Sequence, residues 1–338
     1  MVRWIAIGAL LAAGAAFAQA DAPQGEVRPV HDPVLIREGR VWHVYSTGIG
    51  KEGQGILSAR ASDDLIRWRT VAPPFAALPD WAAKAVPGAR NLWAPHISFV
   101  GGRYRLYYSV STFGSNRSAI GLATSATLDP AAPGYGWRDE GMVLASKPGD
   151  DFNAIDPAFV ADRDGRHWLA FGSFWSGLKL VELDPRTGKP RRPGEKPLPL
   201  ASRPVPQGAP SIIEAPYLFE RGGWYWLIAS YDYCCKGAAS TYYTVIGRSK
   251  TITGPYLGKD GSSMLAGGGT VLLRADLEEK GRFRGPGHAG HFRGRDGVDH
   301  LVYHAYDKEN GGAPTLRLAT LDWGADGWLR AVQQGEKP

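Results

Sequence analysis

One phrase recurs five times along the chain and restricts the possible folds more than any other feature of the sequence. Each copy begins with a small or ionisable residue, in most copies followed closely by proline, and continues with a short apolar run, a glycine turn and an aromatic-rich run. Successive copies start 62, 62, 58 and 74 residues apart. Repeats of two hairpin strands are typical of the blades of a β-propeller. The five starting positions are Asp32, Ala94, Asp156, Glu214 and His288.

Each repeat also contains a later strand signal, which gives it enough sequence for a four-stranded blade. The composition favours the same fold, because 12 Trp, 14 Tyr and 11 Phe accompany 44 Gly and 25 Pro but only 3 Met. We therefore predict an all-β protein, a five-bladed β-propeller with a single axial active site. If the first strand of every blade lines the central channel, the five starting positions converge at one mouth of that channel. The later strand signals cover residues 56–59, 119–124, 178–183, 242–248 and 316–321.

The first twenty residues differ from the rest of the chain. Arg3 precedes an apolar stretch over residues 5–17, and small residues follow up to Ala20, which is the pattern of a secretory signal peptide. We expect a signal peptide over 1–20, a catalytic propeller domain over 21–338, and a secreted or periplasmic location. The apolar stretch is too short to span a bilayer, and the net charge of +6 comes from scattered Lys and Arg residues. We therefore expect a monomer without a membrane or nucleic-acid partner.

Three of the five starting positions carry carboxylates: Asp32, Asp156 and Glu214. Carboxylates that are brought together shift each other's pKa values apart, so that one acid stays protonated while another is ionised. Hydrolysis of a glycosidic bond needs such a pair. A single Asp-Pro step is usually only a turn, as we expect for Asp129-Pro130. Recurrence at the same phase of the repeat favours a catalytic interpretation.

Aromatic residues near these positions predict a sugar site, because apolar sugar faces stack on flat rings. Trp93, Phe113 and Trp175 each lie in a segment rich in Gly, Ser or Asn, which we place between strands rather than within them.

Several short phrases together resemble those of the endo-α-1,5-L-arabinanases of glycoside hydrolase family 43, and the resemblance covers nearly all of the mature chain. It implies an arabinan endo-1,5-α-L-arabinosidase, an inverting enzyme that cleaves internal bonds of arabinan and arabino-oligosaccharides. The phrases are Val30-His31-Asp32-Pro33, Leu92-Trp93-Ala94-Pro95-His96, Asn153-Ala154-Ile155-Asp156-Pro157, Gly172-Ser173-Phe174-Trp175, Glu214-Ala215-Pro216 and Cys234-Cys235-Lys236-Gly237.

The resemblance also implies roles for individual residues. It makes Asp32 the general base, Glu214 the general acid, and Asp156 the carboxylate that tunes the acid and orients the sugar. It places a calcium or sodium ion at His288 on the propeller axis, with water in most coordination positions, as a structural or site-tuning cofactor. His291 is the alternative ligand, but His288 keeps the phase of the repeat. The substrate-binding set is His31, Trp93, Phe113, Asn153, Ser173 and Trp175.

Some alternatives stay open at this point. The chain could be an exo-acting arabinanase, an arabinofuranosidase or a β-xylosidase of the same clan, or a non-catalytic sugar-binding propeller. An endo enzyme needs an open groove, and the loops over 73–89 and 190–210 would determine its shape. The adjacent Cys234 and Cys235 could form a vicinal disulfide that shapes the pocket rim, or remain two thiols.

Overall fold

Each sequence repeat folds into one sheet, so the computed structural model is a five-bladed β-propeller and the predicted fold is confirmed. It describes residues 22–49, 55–204, 211–275 and 281–333. The predicted signal peptide over 1–20 and positions 205–210 of the loop over 190–210 lie outside these residues.

Within each blade the four strands of the repeat are hydrogen-bonded in chain order, each antiparallel to the next. Blade 1 contains β2 (Val34–Glu38), β3 (Val41–Thr47), β4 (Leu57–Ser62) and β5 (Arg67–Thr70), and the short β1 (Gln24–Gly25) joins β5 in parallel. Blade 2 contains β6 (Trp93–Val100), β7 (Arg103–Val110), β8 (Ser118–Ser125) and β9 (Arg138–Ser146). Blade 3 contains β10 (Ala158–Ala161), β11 (His167–Phe171), β12 (Leu178–Leu183) and β13 (Leu198–Ala201). Blade 4 contains β14 (Ile213–Arg221), β15 (Trp224–Tyr231), β16 (Tyr243–Ser249) and β17 (Thr270–Leu273). Blade 5 contains β18 (Phe283–Arg293), β19 (Asp299–Asp307), β20 (Ala313–Trp323) and β21 (Leu329–Gln333).

Among the residues that the structure describes, helical structure is confined to the connections. The α-helix α1 (Asp80–Ala85) lies between blades 1 and 2, and three-residue 3₁₀ turns cover Gly237–Ala239, Met264–Ala266 and Lys308–Asn310. The structure, over its described ranges, contains no helix that is long and apolar enough to cross a membrane.

Apolar side chains hold the blades together. Five clusters of buried residues are present, and each joins two neighbouring blades. Between blades 4 and 5, for example, the fully buried Trp226 packs edge-on against Trp323 and Trp328. Because burial of apolar area is the main favourable contribution to folding, these five interfaces fix the blades around the axis.

The ring closes between blades 5 and 1 without a shared sheet. The N–H of Val30 donates to the carbonyl of Pro314 at 2.8 Å, and the N–H of Leu316 donates to the carbonyl of Val27 at 3.0 Å. An apolar cluster that includes Trp42 of β3 covers the same junction. The first strands of adjacent blades contact each other, so they surround the axis as predicted.

Candidate active site

The backbone enters every blade through the same conformation. In the first strand of each blade, or just before it, one non-glycine residue has a positive φ between 41° and 57°, a left-handed conformation that costs about 1–2 kcal/mol. In blade 4 this residue is Ala215 and not Glu214. Ala215 directly precedes Pro216, as Ala94 precedes Pro95, and β6 and β14 carry the same bulge around these residues. The predicted phase is therefore wrong by one residue there, and Glu214 precedes the equivalent position. The five residues are Asp32, Ala94, Asp156, Ala215 and His288.

A ring of inter-blade hydrogen bonds holds these strained residues. Each of the five donates its backbone N–H to a side chain of the preceding blade. The donors and acceptors are Ala94 to Thr47 Oγ1 at 2.8 Å, Asp156 to Ser109 Oγ at 3.0 Å, Ala215 to Asp156 Oδ2 at 3.2 Å, His288 to Ser230 Oγ at 2.9 Å, and Asp32 to His304 Nδ1 at 3.1 Å.

Three of the five acceptors are hydroxyl groups. The other two are not, and each of these two hydrogen bonds involves a predicted catalytic carboxylate residue, either as acceptor or as donor. After β11 the equivalent position is Gly172, which has no side chain, so the carboxylate of Asp156 takes the place of the hydroxyl. Asp156 thereby fixes the backbone immediately after Glu214. In blade 5 the acceptor is the imidazole of His304 instead of a hydroxyl, and it holds the backbone of Asp32.

The residues predicted for the site all line one groove at the axial mouth of the propeller, with a volume of about 1170 Å³. Blades 1 to 5 all contribute to it, as the five convergent repeat starts require. The predicted residues on its walls and floor are His31, Asp32, Trp93, Phe113, Asn153, Asp156, Ser173, Trp175, Glu214 and His288.

Asp32 has the most hydrogen-bond partners of the three carboxylates. Its Oδ2 lies 2.8 Å from Nδ1 of His31 and accepts the Thr47 hydroxyl at 2.5 Å, while Oδ1 lies 3.2 Å from Nδ1 of His288. Because each carboxylate oxygen offers two acceptor positions, one position remains free, and it is on Oδ1. Burial disfavours the charged form, but attraction to His31 and His288 outweighs it and holds the pKa of Asp32 well below its usual range.

Glu214 has the opposite tendency. Its Oε2 accepts the Ser173 hydroxyl at 2.7 Å, and the two residues also form an isolated β-bridge. Burial raises the pKa of Glu214 above its usual range, and the negative charge of Asp32 adds to that rise against the opposing hydrogen bond from Ser173. The groove therefore pairs a base that is ionised at neutral pH with an acid that tends to keep its proton.

Asp156 and His288 complete the charge distribution. Burial, followed by the charges of Glu214 and Asp32, raises the pKa of Asp156 well above its usual range. Burial alone would lower the pKa of His288, but attraction and hydrogen bonding to Asp32 raise it to about 9. A positive charge on the axis thus balances a cluster that carries fewer negative charges than it has carboxyl groups.

The ligand atoms available at His288 fit only a metal ion that takes most of its ligands from water. Asp32 occupies Nδ1, which leaves Nε2 as the one ring atom for an ion, whereas calcium takes about six to eight oxygen ligands. In the described ranges, the close groups of three metal-ligating side chains are His31 with Cys234 and Cys235, and His31 with Asp32 and His304. Neither includes His288.

The alternative ligand lies elsewhere. His291 packs flat on Phe219 at 4.1 Å between ring centroids, and its Nε2 is 3.0 Å from Asp299 Oδ1. It does not line the groove. Of the two histidines considered as the metal ligand, His288 is therefore the one that faces the carboxylates.

The aromatic residues border the groove on one side. Phe113 is 82% exposed, and its ring lies 5.0 Å from that of Trp93, whose Nε1 donates to Asn91 Oδ1. Trp93 is the first residue of β6, so the expectation that it lies between strands is wrong, because the bulge after Trp93 lets β6 start earlier. Trp175 lies between β11 and β12 with a φ of 45°. The exposed ring of Phe113 and the half-buried rings of Trp93 and Trp175 offer a sugar chain stacking surfaces beside the carboxylates.

Three residues of the site, Thr47, His304 and Tyr306, were missed from the sequence, and Cys235 was expected at the rim but without its contact to His31. Thr47 and His304 occupy the position after or near the end of the second strand of their repeats, where Ser109 and Ser230 also lie, so alignment of the five repeats by that strand could have found them. Tyr306 and Cys235 reach His31 from blade 5 and from the loop after β15, and no sequence pattern signals that contact.

The fold and the site together define a glycoside hydrolase of the β-propeller class. The family model for "Glycosyl hydrolases family 43" matches residues 28–329, and the chain belongs to this family.

Relatives and solved structures agree with this assignment. The chain is 44% identical over 302 residues to an extracellular endo-α-(1→5)-L-arabinanase of Bacillus subtilis, covering 88% of this chain and 86% of that protein. It is 42% identical over 306 residues to an extracellular exo-α-(1→5)-L-arabinofuranosidase of Cellvibrio japonicus, covering 88% and 85%. The structure of Cellvibrio cellulosa α-L-arabinanase complexed with arabinohexaose superposes with a TM-score of 0.83 at 40% identity, covering 90% of this chain and 96% of that one.

Proposed function

We propose that this protein is an arabinan endo-1,5-α-L-arabinosidase that hydrolyses internal α-1,5-L-arabinofuranosidic bonds with inversion. The observation that carries the proposal is the pairing, in one groove, of an ionised Asp32 with a Glu214 whose pKa is raised. Relatives named as arabinanases support arabinan and arabino-oligosaccharides as the substrate.

The proposed reaction needs one proton donor and one proton acceptor. Glu214 donates its proton to the glycosidic oxygen as the bond to the anomeric carbon breaks. Asp32 accepts a proton, at the free position of Oδ1, from the water that attacks the anomeric carbon from the opposite face. Asp156 and Glu214 oppose each other's ionisation, which helps to keep a proton on the pair, and Asp156 holds Ala215 through its Oδ2. Both carboxyl groups return to their starting states after exchange with solvent.

The groove supplies contacts for several sugar units. Its volume of about 1170 Å³ exceeds the roughly 300–1,000 Å³ of sites for single small molecules. Phe113, Trp93 and Trp175 offer stacking surfaces. Asn153 is buried, and its Oδ1 has no hydrogen-bond partner among the described residues, which suits an acceptor for a sugar hydroxyl. His31 and Ser173 adjoin the carboxylates and would contact the sugar at the cleaved bond.

Substrate specificity is tested by comparing debranched arabinan, branched arabinan, xylan and an aryl arabinofuranoside in one assay of reducing-sugar release. We expect debranched arabinan to be hydrolysed fastest, to a mixture of oligosaccharides. Release of single arabinose or arabinobiose units would instead support the exo-acting alternative, which the Cellvibrio japonicus relative represents. Preference for xylan or the aryl substrate would support another specificity of the clan, and binding without hydrolysis would support a sugar-binding propeller.

Replacing Asp156 by asparagine should move the alkaline limb of the kcat/KM profile to lower pH. The alkaline limb reports loss of the proton from the general acid. Asparagine cannot ionise, so the repulsion between the two carboxylates that raises the last ionisation of the pair is removed, and Glu214 loses its proton at lower pH. Asparagine keeps an acceptor for the Ala215 N–H, so the fold should persist. Asp164→Asn, an exposed change on the same blade, should leave the profile unchanged. An unmoved limb in Asp156→Asn would leave Asp156 a backbone anchor only.

The proposal includes a calcium or sodium ion at Nε2 of His288, completed by water. When bound, such an ion would take the place of the Nε2 proton of His288 and keep positive charge beside the carboxylates. A chelator should then lower both activity and melting temperature, because calcium at a hundred times its Kd adds about 2.7 kcal/mol of stability. The same chelator should have no further effect on His288→Ala. Elemental analysis that finds neither calcium nor sodium in active protein would remove the cofactor.

Export is proposed from the signal peptide over residues 1–20, and two relatives are named extracellular. A monomer is proposed as the working form. Fractionation of cells, with size-exclusion chromatography and light scattering of the purified protein, tests both.

A further inference from the structure

A chain of three contacts connects the disulfide-bonded pair Cys234–Cys235 to Asp32. The backbone N–H of Cys235 donates to the hydroxyl of Tyr306 at 2.7 Å. That hydroxyl lies 2.7 Å from Nε2 of His31. On the other side of the imidazole, Nδ1 lies 2.8 Å from Oδ2 of Asp32.

The direction of each hydrogen bond follows from the groups involved. A backbone amide only donates, and a carboxylate only accepts, so Nδ1 of His31 carries the hydrogen toward Asp32. In the neutral form of the ring Nε2 is bare, and it accepts the hydroxyl hydrogen of Tyr306. The oxygen of the Tyr306 hydroxyl accepts the N–H of Cys235 and also has a hydrogen bond with the Ser240 side chain. This arrangement permits one tautomer of His31, the one that donates to Asp32.

The disulfide turn fixes the amide at the start of this chain. Cys235 has a φ of 64°, a left-handed conformation that a non-glycine residue adopts only when its surroundings hold it. The turn is also tied internally, since Lys236 N–H donates to Ser240 Oγ at 3.0 Å and Thr241 N–H donates to the Tyr233 carbonyl at 3.0 Å.

The imidazole of His31 is held on both sides. The Sγ of Cys235 lies 3.7 Å from its Nε2, and the ring stacks on His304 at 4.0 Å between centroids. His304 in turn accepts the backbone N–H of Asp32. The disulfide turn therefore meets the same small group of side chains that positions Asp32.

We propose that the Cys234–Cys235 disulfide turn and Tyr306 are positioning groups for the general base: they set the tautomer and orientation of His31, which holds Oδ2 of Asp32. The proposal rests on the base role given to Asp32 in the proposed function. It differs from a role in which the disulfide only contacts sugar at the rim, because a rim contact would change KM rather than kcat.

Tyr306→Phe tests the middle contact between the disulfide and Asp32. We expect kcat on debranched arabinan to fall about 10- to 100-fold, as for other groups that orient a reacting residue, with KM within about twofold. The matched control is Tyr256→Phe, which removes a buried hydroxyl that donates to the Ile252 carbonyl outside the groove, and it should keep full activity.

Reduction of the disulfide tests the first of the three contacts, the one that Cys235 makes with Tyr306. These two cysteines are the only ones in the sequence, so a phosphine reductant acts on this bond alone. Native protein should show no titratable thiol, and reduced protein two. Reduction should lower the kcat of the wild type about tenfold but leave the kcat of Tyr306→Phe unchanged, because both changes break the same chain. The Cys234→Ser/Cys235→Ser double variant should match the reduced wild type.

A readout that does not depend on activity separates this proposal from the proposed function. In ¹⁵N-histidine-labelled, substrate-free protein, with the His31 signals assigned by a His31→Asn variant, we expect a protonated Nδ1 and a bare Nε2. Reduction and Tyr306→Phe should each mix the two tautomers. Unchanged His31 signals in both cases would overturn the proposal, whatever the substrate of the enzyme. So would two thiols in native protein, or a reduction that changes KM alone and adds to the effect of Tyr306→Phe.

Discussion

Replacing Glu214 by glutamine should lower kcat on arabinan by about 10²- to 10⁴-fold, the usual contribution of a positioned proton donor. Glutamine has nearly the same size and can still accept the Ser173 hydroxyl, so the melting temperature should be kept. The loss should depend on the leaving group. An aryl arabinofuranoside with an acidic phenol needs little protonation, and its hydrolysis by Glu214→Gln should be affected much less than that of arabinan.

Glu220→Gln is the matched control for this variant. Glu220 lies on the same strand, β14, but is exposed and pairs with Arg163 on the outer surface. Its replacement should leave kcat unchanged. A Glu214→Gln enzyme within tenfold of the wild type on arabinan, or one equally impaired on both substrates, would contradict the assignment of the general acid.

Replacing Asp32 by asparagine should cause a loss of similar size, about 10²- to 10⁴-fold, but with a different dependence on substrate. The amide cannot accept a proton from water, and every substrate needs that water. The loss should therefore be about the same for arabinan and for the aryl arabinofuranoside. Kinetics on the two substrates thus distinguish the base from the acid.

The chain offers a close control for Asp32→Asn. Asp129 also precedes a proline, but it is exposed and its Oδ1 caps a turn by accepting the N–H of Ala131. Asp129→Asn should retain full activity. If Asp32→Asn impaired arabinan hydrolysis while leaving the aryl substrate unaffected, Asp32 would have to be assigned to substrate binding and not to water activation.

The fold could be predicted from the sequence because each blade of the propeller corresponds to one sequence repeat. Every blade starts with the same left-handed residue and the same glycine turn, so Asp32, Ala94 and Asp156 recur at a constant spacing. The phase in blade 4 also has a sequence signal. The left-handed residues of blades 1 to 3 directly precede Pro33, Pro95 and Pro157, so aligning the repeats by proline places Ala215, which precedes Pro216, in the left-handed position.

Some contacts of the site could not be predicted from the sequence, because they do not follow from the repeat. Asp32 and Glu214 stand at repeat positions, so their convergence follows from the symmetry. Tyr306 approaches His31 across 275 residues of sequence, and its contact is specific to one blade junction. The sequence alone also left open whether Cys234 and Cys235 form a disulfide or remain two thiols. In the structure they form a disulfide.

The proposed function requires that the axial carboxylates hydrolyse internal bonds of arabinan. It is tested most directly by following viscosity and reducing ends together on debranched arabinan, with wild type and Glu214→Gln in parallel. We expect the wild type to lower viscosity steeply while few reducing ends have appeared, and Glu214→Gln to do so at least about a hundredfold more slowly. Reducing ends that appear without an early loss of viscosity, or equal rates for the two proteins, would contradict the proposed function.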